Sequence, residues 1–376
     1  MNKKLMEMYA AKYYTKAYSL FHKIEKKVLF ESFMGKQYSD NPRAISEKLH
    51  EMYPEYEIVW TMNAKNDALP DYVRTVSKTS RDYYKELATS FAFVNNEGMS
   101  PNLNKRRKQF FIQTWHGDRG FKKVLYDAHE DSKREIPVMD GKITDLCVAG
   151  SQYGEDKYRS AFHYYGRVLK VGTPRNDGLI NPSSDKQHEI RTKLGLDDDT
   201  KIILYAPTFR GYQTKSVIQV DFKRVIDILE RDGSKWVVLI RAHASTVGGF
   251  ANADDFMQDV SRYPDIADLM MVADMLMTDF SSCSGDFIVR RKPVILVPFD
   301  KEVYMKNCRT FKAPLEDTGY LVAENQEQLE DILTHTTLEQ FAANSEKVLD
   351  FYGTVETGKA SEAVCEEINK FYKEHF

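Results

Sequence analysis

This chain of 376 residues lacks the features that mark several function classes. Its four cysteines, Cys147, Cys283, Cys308 and Cys365, are scattered without a CxxC pair. That argues against a zinc site or a disulfide framework and fits a reducing cytoplasm. No apolar run approaches the roughly 18 residues that span a bilayer, and no signal-peptide segment opens the chain, so it is expected to stay on the cytoplasmic side of any membrane. There is no GxGxxG dinucleotide fingerprint, no P-loop and no HExxH zinc motif. A net charge of −3 provides no global basic field for nucleic acid, which is not expected as a partner. Asp197-Asp198-Asp199 reads as a polar turn, so no obligatory protein-bound metal is expected. Internal repeats and low-complexity segments are missing too.

What is present is an alternation of strand-like and helix-like segments. A content of 42% hydrophobic and 29% charged residues supports real cores in an ordinary soluble chain, and the length suits two domains. Strands are predicted at 28–33, 57–62, 91–94, 110–114, 146–149 and 168–171, with helices at 44–52 and 82–89. The Pro/Ser/Asp-rich stretch 181–199, with a helix at 186–194, marks the boundary. Beyond it, strands are predicted at 201–206, 236–240, 275–277 and 294–297, and helices at 222–231, 266–272 and 283–289. A charged helical tail follows from about 325. The expected fold is α/β, two Rossmann-like domains facing each other across a cleft: residues 1–180, and residues 181–376 closed by the C-terminal helices.

Polar punctuation recurs where predicted strands end. Gln113-Thr114-Trp115-His116-Gly117 follows the apolar Phe110-Phe111-Ile112. The others are Gly172-Thr173-Pro174-Arg175-Asn176-Asp177, Pro207-Thr208-Phe209-Arg210, Arg241-Ala242-His243 and Thr278-Asp279-Phe280-Ser281-Ser282. Ligands of open α/β sheets bind at the carboxyl ends of strands, so these segments are expected to converge on one site. His116 is either a general base, given a pKa near neutrality and reach to a hydroxyl, or a structural partner of a loop carbonyl. Ser281 and Ser282 either cap the helix that follows or, with its free amides, cradle a diphosphate. Asp286 could accept from a ribose hydroxyl there, and Gly285 admits close approach of backbone or ligand. Arg241 and His243 leave a strand end on one face and suit a pyrophosphate; otherwise they are a surface Arg paired with an acid and a His satisfied by backbone. Thr208, Arg210, Arg175 and Asn176 add donors of the same type.

The N-terminal stretch is basic. Lys3, Lys4, Lys12, Lys16, Lys23, Lys26 and Lys27 stand against Glu7 and Glu25, interleaved at near-helical spacing with Leu5, Met8, Tyr9, Tyr13, Leu20, Phe21, Ile24 and Val28. Such a helix either lies in an anionic lipid interface or packs on its own domain. Lys105-Arg106-Arg107-Lys108 is a second basic cluster, either a solvated turn or a contact for headgroups or an anionic acceptor.

Taken in order, these motifs, with Phe30-Glu31-Ser32-Phe33, Asp40-Asn41-Pro42, Leu204-Tyr205-Ala206 ahead of Pro207, Pro293, and Arg309 before Phe311, resemble the CDP-glycerol glycerophosphotransferases over nearly the whole length. These are the teichoic acid primases and polymerases of Gram-positive bacteria and their capsule-synthesis relatives. The resemblance implies a GT-B-like architecture with the nucleotide held mainly by the C-terminal domain. It implies transfer of a polyol phosphate from a CDP-polyol co-substrate, foremost CDP-glycerol, to an acceptor hydroxyl with release of CMP and no cofactor. His116 would be the base on that hydroxyl, and His243 would stabilise the pyrophosphate and leaving group. Ser281 and Ser282 would contact the donor phosphates, and Arg241, Asp286 and Arg309 match donor-site positions. The implied acceptor is a saccharide on a polyprenyl diphosphate, reached from the cytoplasmic face of the bacterial cell membrane by a peripheral enzyme. That favours the lipid reading of the basic helix.

The sequence also departs from the family pattern. Asp118-Arg119-Gly120-Phe121-Lys122-Lys123 stands where Thr-Pro-Leu-Lys-Lys is usual, so Gly117, Asp118, Arg119 and Lys122 are expected on the acceptor side. Thr173 replaces Tyr, Phe280 replaces Tyr, and Thr310 replaces Gly. Without a long N-terminal extension the chain reads as a bare catalytic unit. The alternatives are a CDP-ribitol phosphotransferase, a GT-B glycosyltransferase using a nucleotide sugar, and a non-catalytic membrane-bound assembly partner. The intact pair His116 and His243 speaks against the last.

Overall fold

The computed structural model describes residues 12–66, 69–78, 80–97, 104–128, 141, 143–208, 210, 218–242, 255–308 and 310–376, and the backbone of 3–11. His243 and Arg309 lie outside the described residues. The chain divides into two compact units. The first comprises Met1–Asp118, His129–Asp177 and Val355–Phe376, and the second Arg119–Ala128 and Gly178–Thr354.

In the first unit, β1 (Glu25–Glu31), β2 (Glu57–Thr61), β3 (Val73–Val76), β4 (Ser90–Asn95), β5 (Phe110–Gln113), β6 (Leu146–Ala149) and β7 (Arg167–Lys170) form one sheet. Its order is β3-β2-β1-β4-β5-β6-β7 and every pairing is parallel. Parallel sheets are covered on both faces, and the strands are apolar on both. Leu29, Val59, Phe93 and Phe111 pack with Tyr83 and Leu87 of the helix Arg81–Thr89. Val28, Phe30, Trp60, Val94 and Ile112 pack with Ile45 and Leu49 of the helix Asp40–Met52 and with Val364, Cys365 and Ile368 of the last helix, Ala360–His375.

The second unit repeats the plan. Its strands are β8 (Lys201–Tyr205), β9 (Trp236–Ile240), β10 (Met257–Asp259), β11 (Met275–Thr278), β12 (Val294–Leu296) and β13 (Leu321–Val322). They run in the order β10-β9-β8-β11-β12-β13, again all parallel. The strand order reverses between β1 and β4 and between β8 and β11, and crevices for ligands open at such reversals. Four of the punctuation segments end strands at or beside these points: Gln113–Gly117 on β5, Pro207–Arg210 on β8, Arg241 on β9, and Thr278–Ser282 on β11.

The observed elements depart from expectation in several places. The boundary predicted at 180/181 is crossed twice. The last helix belongs to the first unit, because its apolar face completes that core and Tyr56 donates to Asn369 Oδ1 at 2.9 Å. Arg119–Ala128 belongs to the second unit, where Arg119 donates to the Gly285 carbonyl. The edge strands β3, β10 and β13 were not predicted, being two to four residues long with polar or exposed positions. The N-terminal helix ends at Phe21, and Lys26 and Lys27 lie on β1. Lys27 is buried, 2.9 Å from Glu86. That helix packs on Arg81–Thr89 through Tyr14 against Tyr84, yet leaves Tyr13, Leu20 and Phe21 at 69, 74 and 84% exposure. The second basic cluster ties down its unit: Lys105 bonds Asp145, Arg106 bonds the His22 and Ala88 carbonyls, and Lys108 bonds the His375 carbonyl. Among the described residues no helix is long and apolar enough to cross a membrane.

Candidate functional site

In the first unit β4 and β5 end side by side, Asn95 in register with Gln113, and their continuations build the setting of His116. Gln113 Nε2 donates to Asn95 Oδ1 (2.9 Å) and the Glu97 carbonyl (2.7 Å), and its Oε1 accepts from Trp115 N (2.8 Å). Asn96 Oδ1 accepts from Phe33 N at 2.9 Å and its Nδ2 donates to Ser32 Oγ at 3.2 Å, joining the end of β1 to the same network. Trp115 has φ 51°, a left-handed conformation that bulky side chains seldom adopt. Such strain persists where the surroundings enforce it and is concentrated at functional sites.

His116 Nδ1 lies 2.7 Å from the Asn96 carbonyl oxygen. A carbonyl only accepts, so Nδ1 carries the proton and Nε2 keeps its lone pair. Burial pushes the His116 pKa below its usual 6.5, further lowered by Arg175, while the Asn96 bond and the charges of Asp40 and Glu97 act in the opposite direction. The bond to a loop carbonyl is present, and it fixes the tautomer in which Nε2 carries no proton.

The Pro174-Arg175-Asn176-Asp177 turn also belongs to this unit, and its side chains have separate duties. Arg175 Nη1 pairs with Asp40 Oδ1 at 3.1 Å. Asn176, expected at the donor, is fully buried and donates to Glu356 Oε1 at 3.0 Å. Asp177 accepts from the Ala360 and Ser361 amides at 2.9 and 2.7 Å, capping the last helix. These bonds tie the turn to the Val355–Phe376 segment of the same unit.

In the second unit the two arginines expected at the donor differ. Arg210 Nε and Nη2 donate to the two oxygens of Asp300, both at 2.7 Å, Nη2 also reaches Asp279 Oδ2 at 2.7 Å, and Nη1 donates to the Thr208 carbonyl at 2.6 Å. Its charge is matched twice, and its guanidinium also lies beside the Phe280 and Tyr304 rings. Arg210 is a strut between the ends of β8 and β11. Arg241 donates to the Tyr263 carbonyl at 2.6 Å, and burial lowers its pKa while Asp265 and Asp268 act in the opposite direction. Among the described residues no carboxylate lies within ion-pair distance of it. A buried guanidinium with unmatched charge favours an anionic ligand. Thr208 Oγ1 is buried without a hydrogen-bond partner among the described residues. Ser282 occupies the N-cap of the short helix Cys283–Phe287 but makes no side-chain capping bond, and Ser281 Oγ accepts from Cys283 N at 3.4 Å. The capping expected of both serines falls to Ser281 alone.

The expected acceptor-side residues are largely committed within their own units. The Gly117 carbonyl accepts from Lys157 Nζ at 2.5 Å. Asp118 is buried and accepts from Ser151 Oγ at 2.6 Å and Gly150 N at 3.1 Å. Arg119 is 1% exposed, with Nε donating to the Gly285 carbonyl at 2.6 Å and Nη2 lying 3.6 Å from Asp286. Lys122 bridges to Phe311. Asp118 and Arg119 are thus both buried, with side chains bonded inside the protein. Asp286, expected on a ribose, faces Arg119, and Gly285 admits the Arg119 backbone, whose oxygen would lie 2.9 Å from an added Cβ. Among the described residues no cluster of three or more His, Cys, Asp or Glu is placed to hold a metal.

The family model of CDP-glycerol:poly(glycerophosphate) glycerophosphotransferases matches residues 13–370. The chain belongs to that family. Its relatives include the teichoic acid poly(glycerol phosphate) polymerase of Staphylococcus epidermidis, 30% identical over 93% of this chain and 51% of its own. The teichoic acid glycerol-phosphate transferase of Staphylococcus aureus is 30% identical over 94% of this chain and 96% of its own. The chain thus spans about half the length of the first and nearly all of the second. A solved structure of the wall teichoic acid polymerase TagF matches with TM-score 0.86 and 28% identity, covering 99% of this chain and 96% of that one. A UDP-GlcNAc 2-epimerase from Neisseria meningitidis matches at TM-score 0.51 and 12% identity, covering 92% of this chain and 100% of that one, a likeness of fold alone. With the two parallel sheets, these matches establish the two-domain Rossmann-like GT-B fold for this glycerophosphotransferase-family chain.

Several residues of the setting were not singled out from the sequence. Asp40, Asn41 and Asp279 sat inside quoted motifs without a role. Asn96 and Asp300 carried no local signal, since their partners lie 20 and 90 residues away in the chain.

Proposed function

We propose that this chain transfers glycerol phosphate from CDP-glycerol to a hydroxyl of a teichoic-acid-type acceptor and releases CMP. The observation that carries the reading is His116: a neutral imidazole whose Nδ1–H is held by the Asn96 carbonyl and whose Nε2 lone pair remains for a proton. The acceptor oxygen attacks the phosphorus that bears glycerol, and the bond from that phosphorus to the CMP oxygen breaks with its electron pair. Nε2 takes the hydroxyl proton. Arg241, Ser281, Ser282 and Thr208, with His243 and Arg309, are assigned to the donor phosphates, where preorganised donors meet the developing charge. Support for the donor comes from the relatives named above and from a histidine-to-asparagine TagF variant solved after soaking with CDPG.

A CDP-ribitol donor is the second reading, favoured by similarity to the ribitol-phosphate polymerase TarL of Staphylococcus aureus, 28% identical over 70% of this chain and 48% of its own. Incubation with CDP-glycerol, CDP-ribitol or UDP-sugars and a lipid-linked saccharide, followed by mass spectrometry of nucleotide and product, separates these. CMP from CDP-glycerol is the expected result; UDP release, or turnover of CDP-ribitol alone, overturns the reading.

The acceptor is proposed to hang from a polyprenyl diphosphate, with the chain bound peripherally at the cytoplasmic face. Tyr13, Leu20 and Phe21 recur at positions that share one helix face, with exposed Lys12 and Lys16 beside them. Apolar anchors flanked by lysines suit an anionic interface.

A further inference from the structure

We propose that Asp40, Asn41 and Arg175 form a clamp that positions the base, holding the Trp115-His116 segment in its strained conformation, and that Arg175 is a positioning residue rather than a ligand of the donor. The inference rests on the reading of His116 as the base.

Three segments distant in sequence close a ring. Asp40 Oδ1 accepts from Asn41 N at 2.5 Å and from Arg175 Nη1 at 3.1 Å. Asn41 Oδ1 accepts from Arg175 N at 3.1 Å, and Asn41 Nδ2 donates to the Trp115 carbonyl at 2.8 Å and more weakly to that of Thr114 at 3.5 Å. Arg175 Nη2 reaches the His116 carbonyl at 3.4 Å. Every bond from the clamp to the base-bearing segment ends on a backbone carbonyl, so it fixes the path of the chain and leaves the imidazole free. Two residues of this ring, Asp40 at φ 66° and Trp115 at φ 51°, lie in the left-handed region; such strain persists when surrounding contacts over-determine it. Asn41 and Arg175 are 1 and 8% exposed. Unlike Arg241, Arg175 has its charge matched by a carboxylate within its own unit.

The clamp also places charge near the imidazole. Asp40 and Glu97 favour the imidazolium and Arg175 disfavours it. Neutralising Arg175 must then raise the pH at which His116 loses its proton, and neutralising Asp40 must lower it.

The test is the pH profile of kcat, with the donor KM, for the full chain and its R175Q, R175K and D40N variants. Plateau kcat is expected to fall about tenfold or more in all three, since loss of positioning by a single ångström costs about that much or more, with donor KM within about threefold. The acid limb is expected to move up in R175Q and down in D40N by about half a pH unit or more, and to stay in place in R175K. A donor KM raised tenfold with plateau kcat retained, or an unmoved limb in both R175Q and D40N, overturns the proposal. Should R175Q fail to fold, a downward shift in D40N beside an unmoved limb in R175K carries the test. Failure of the base reading looks different: the parent chain then shows no acid limb, or H116Q keeps its turnover.

Discussion

Replacing Arg210 with methionine removes the cation that two buried carboxylates share. The Asp279 and Asp300 side chains are 5 and 12% exposed and lie 2.7 Å from Nη2. Breaking a buried pair by deleting one partner typically costs about 3–5 kcal/mol, because a charge is left uncompensated. For a unit of this size each kcal/mol moves Tm by about 2–4 °C, so a fall of roughly 6–20 °C is expected by calorimetry. Lysine keeps the charge but not the planar fork and should recover part of the loss. Because Arg210 is engaged inside the protein, R210K should change CDP-glycerol affinity by less than about threefold, a fraction of one charge-assisted bond. The contrast is Arg241, whose charge no described carboxylate matches. R241Q should weaken CDP-glycerol roughly 10- to 100-fold in titration calorimetry, at about 1.5–3 kcal/mol for a hydrogen bond to a charged group. An R210M protein melting within about 2 °C of its parent, or R210K losing the donor as severely as R241Q, refutes the distinction between strut and receptor.

Gly285→Ala drives a methyl to 2.5 Å from Arg119 Cβ and 2.9 Å from its carbonyl oxygen. The backbone must yield, and a loss of about 1–3 kcal/mol is expected from chemical denaturation. Asp177→Ala deletes the carboxylate that caps the last helix; a loss of about 1–2 kcal/mol with unchanged CDP-glycerol affinity is expected. In the proposed base role His116 works as the neutral imidazole, and burial holds its pKa below 6.5. Turnover should therefore hold across neutral pH and be halved only at a pH below 6.5, when protonation overtakes Nε2; a half-point above about 7 contradicts that sign. Leu20→Ser with Phe21→Ser should lower sedimentation with anionic vesicles several-fold, each large apolar side chain being worth about 1.5–3 kcal/mol of burial, and leave turnover of a water-soluble acceptor analogue intact.

The central strands were legible because each parallel strand is a continuous run of Val, Ile, Leu, Met and Phe, as in Ile202-Ile203-Leu204 and Val237-Val238-Leu239. The edge strands were not, since β3 alternates with Arg74, which pairs outward with Glu57. The last helix reads as a tail because nothing local says that Val364 and Ile368 complete a core whose strands lie far earlier in the chain, from Val28 to Val148. At the site, strand-end motifs located the chemistry but not its division of labour. Arg175, Arg210 and Arg241 look alike in sequence; only the carboxylates that distant segments bring to Arg175 and Arg210, where Arg241 meets a backbone carbonyl, tell them apart. Asp118 and Arg119 follow His116-Gly117, yet each turns inward to a partner in its own unit, Asp118 in the first and Arg119 in the second.

The claim that His116 is the base, and not a donor ligand, meets its most direct test in His116→Ala assayed for CMP release, with CDP-glycerol affinity measured by calorimetry on the same preparation. General-base removal is expected to lower turnover by about 10²- to 10⁴-fold while the affinity stays within about twofold. Loss of CDP-glycerol binding, or CMP release at near the parent rate, would contradict the account.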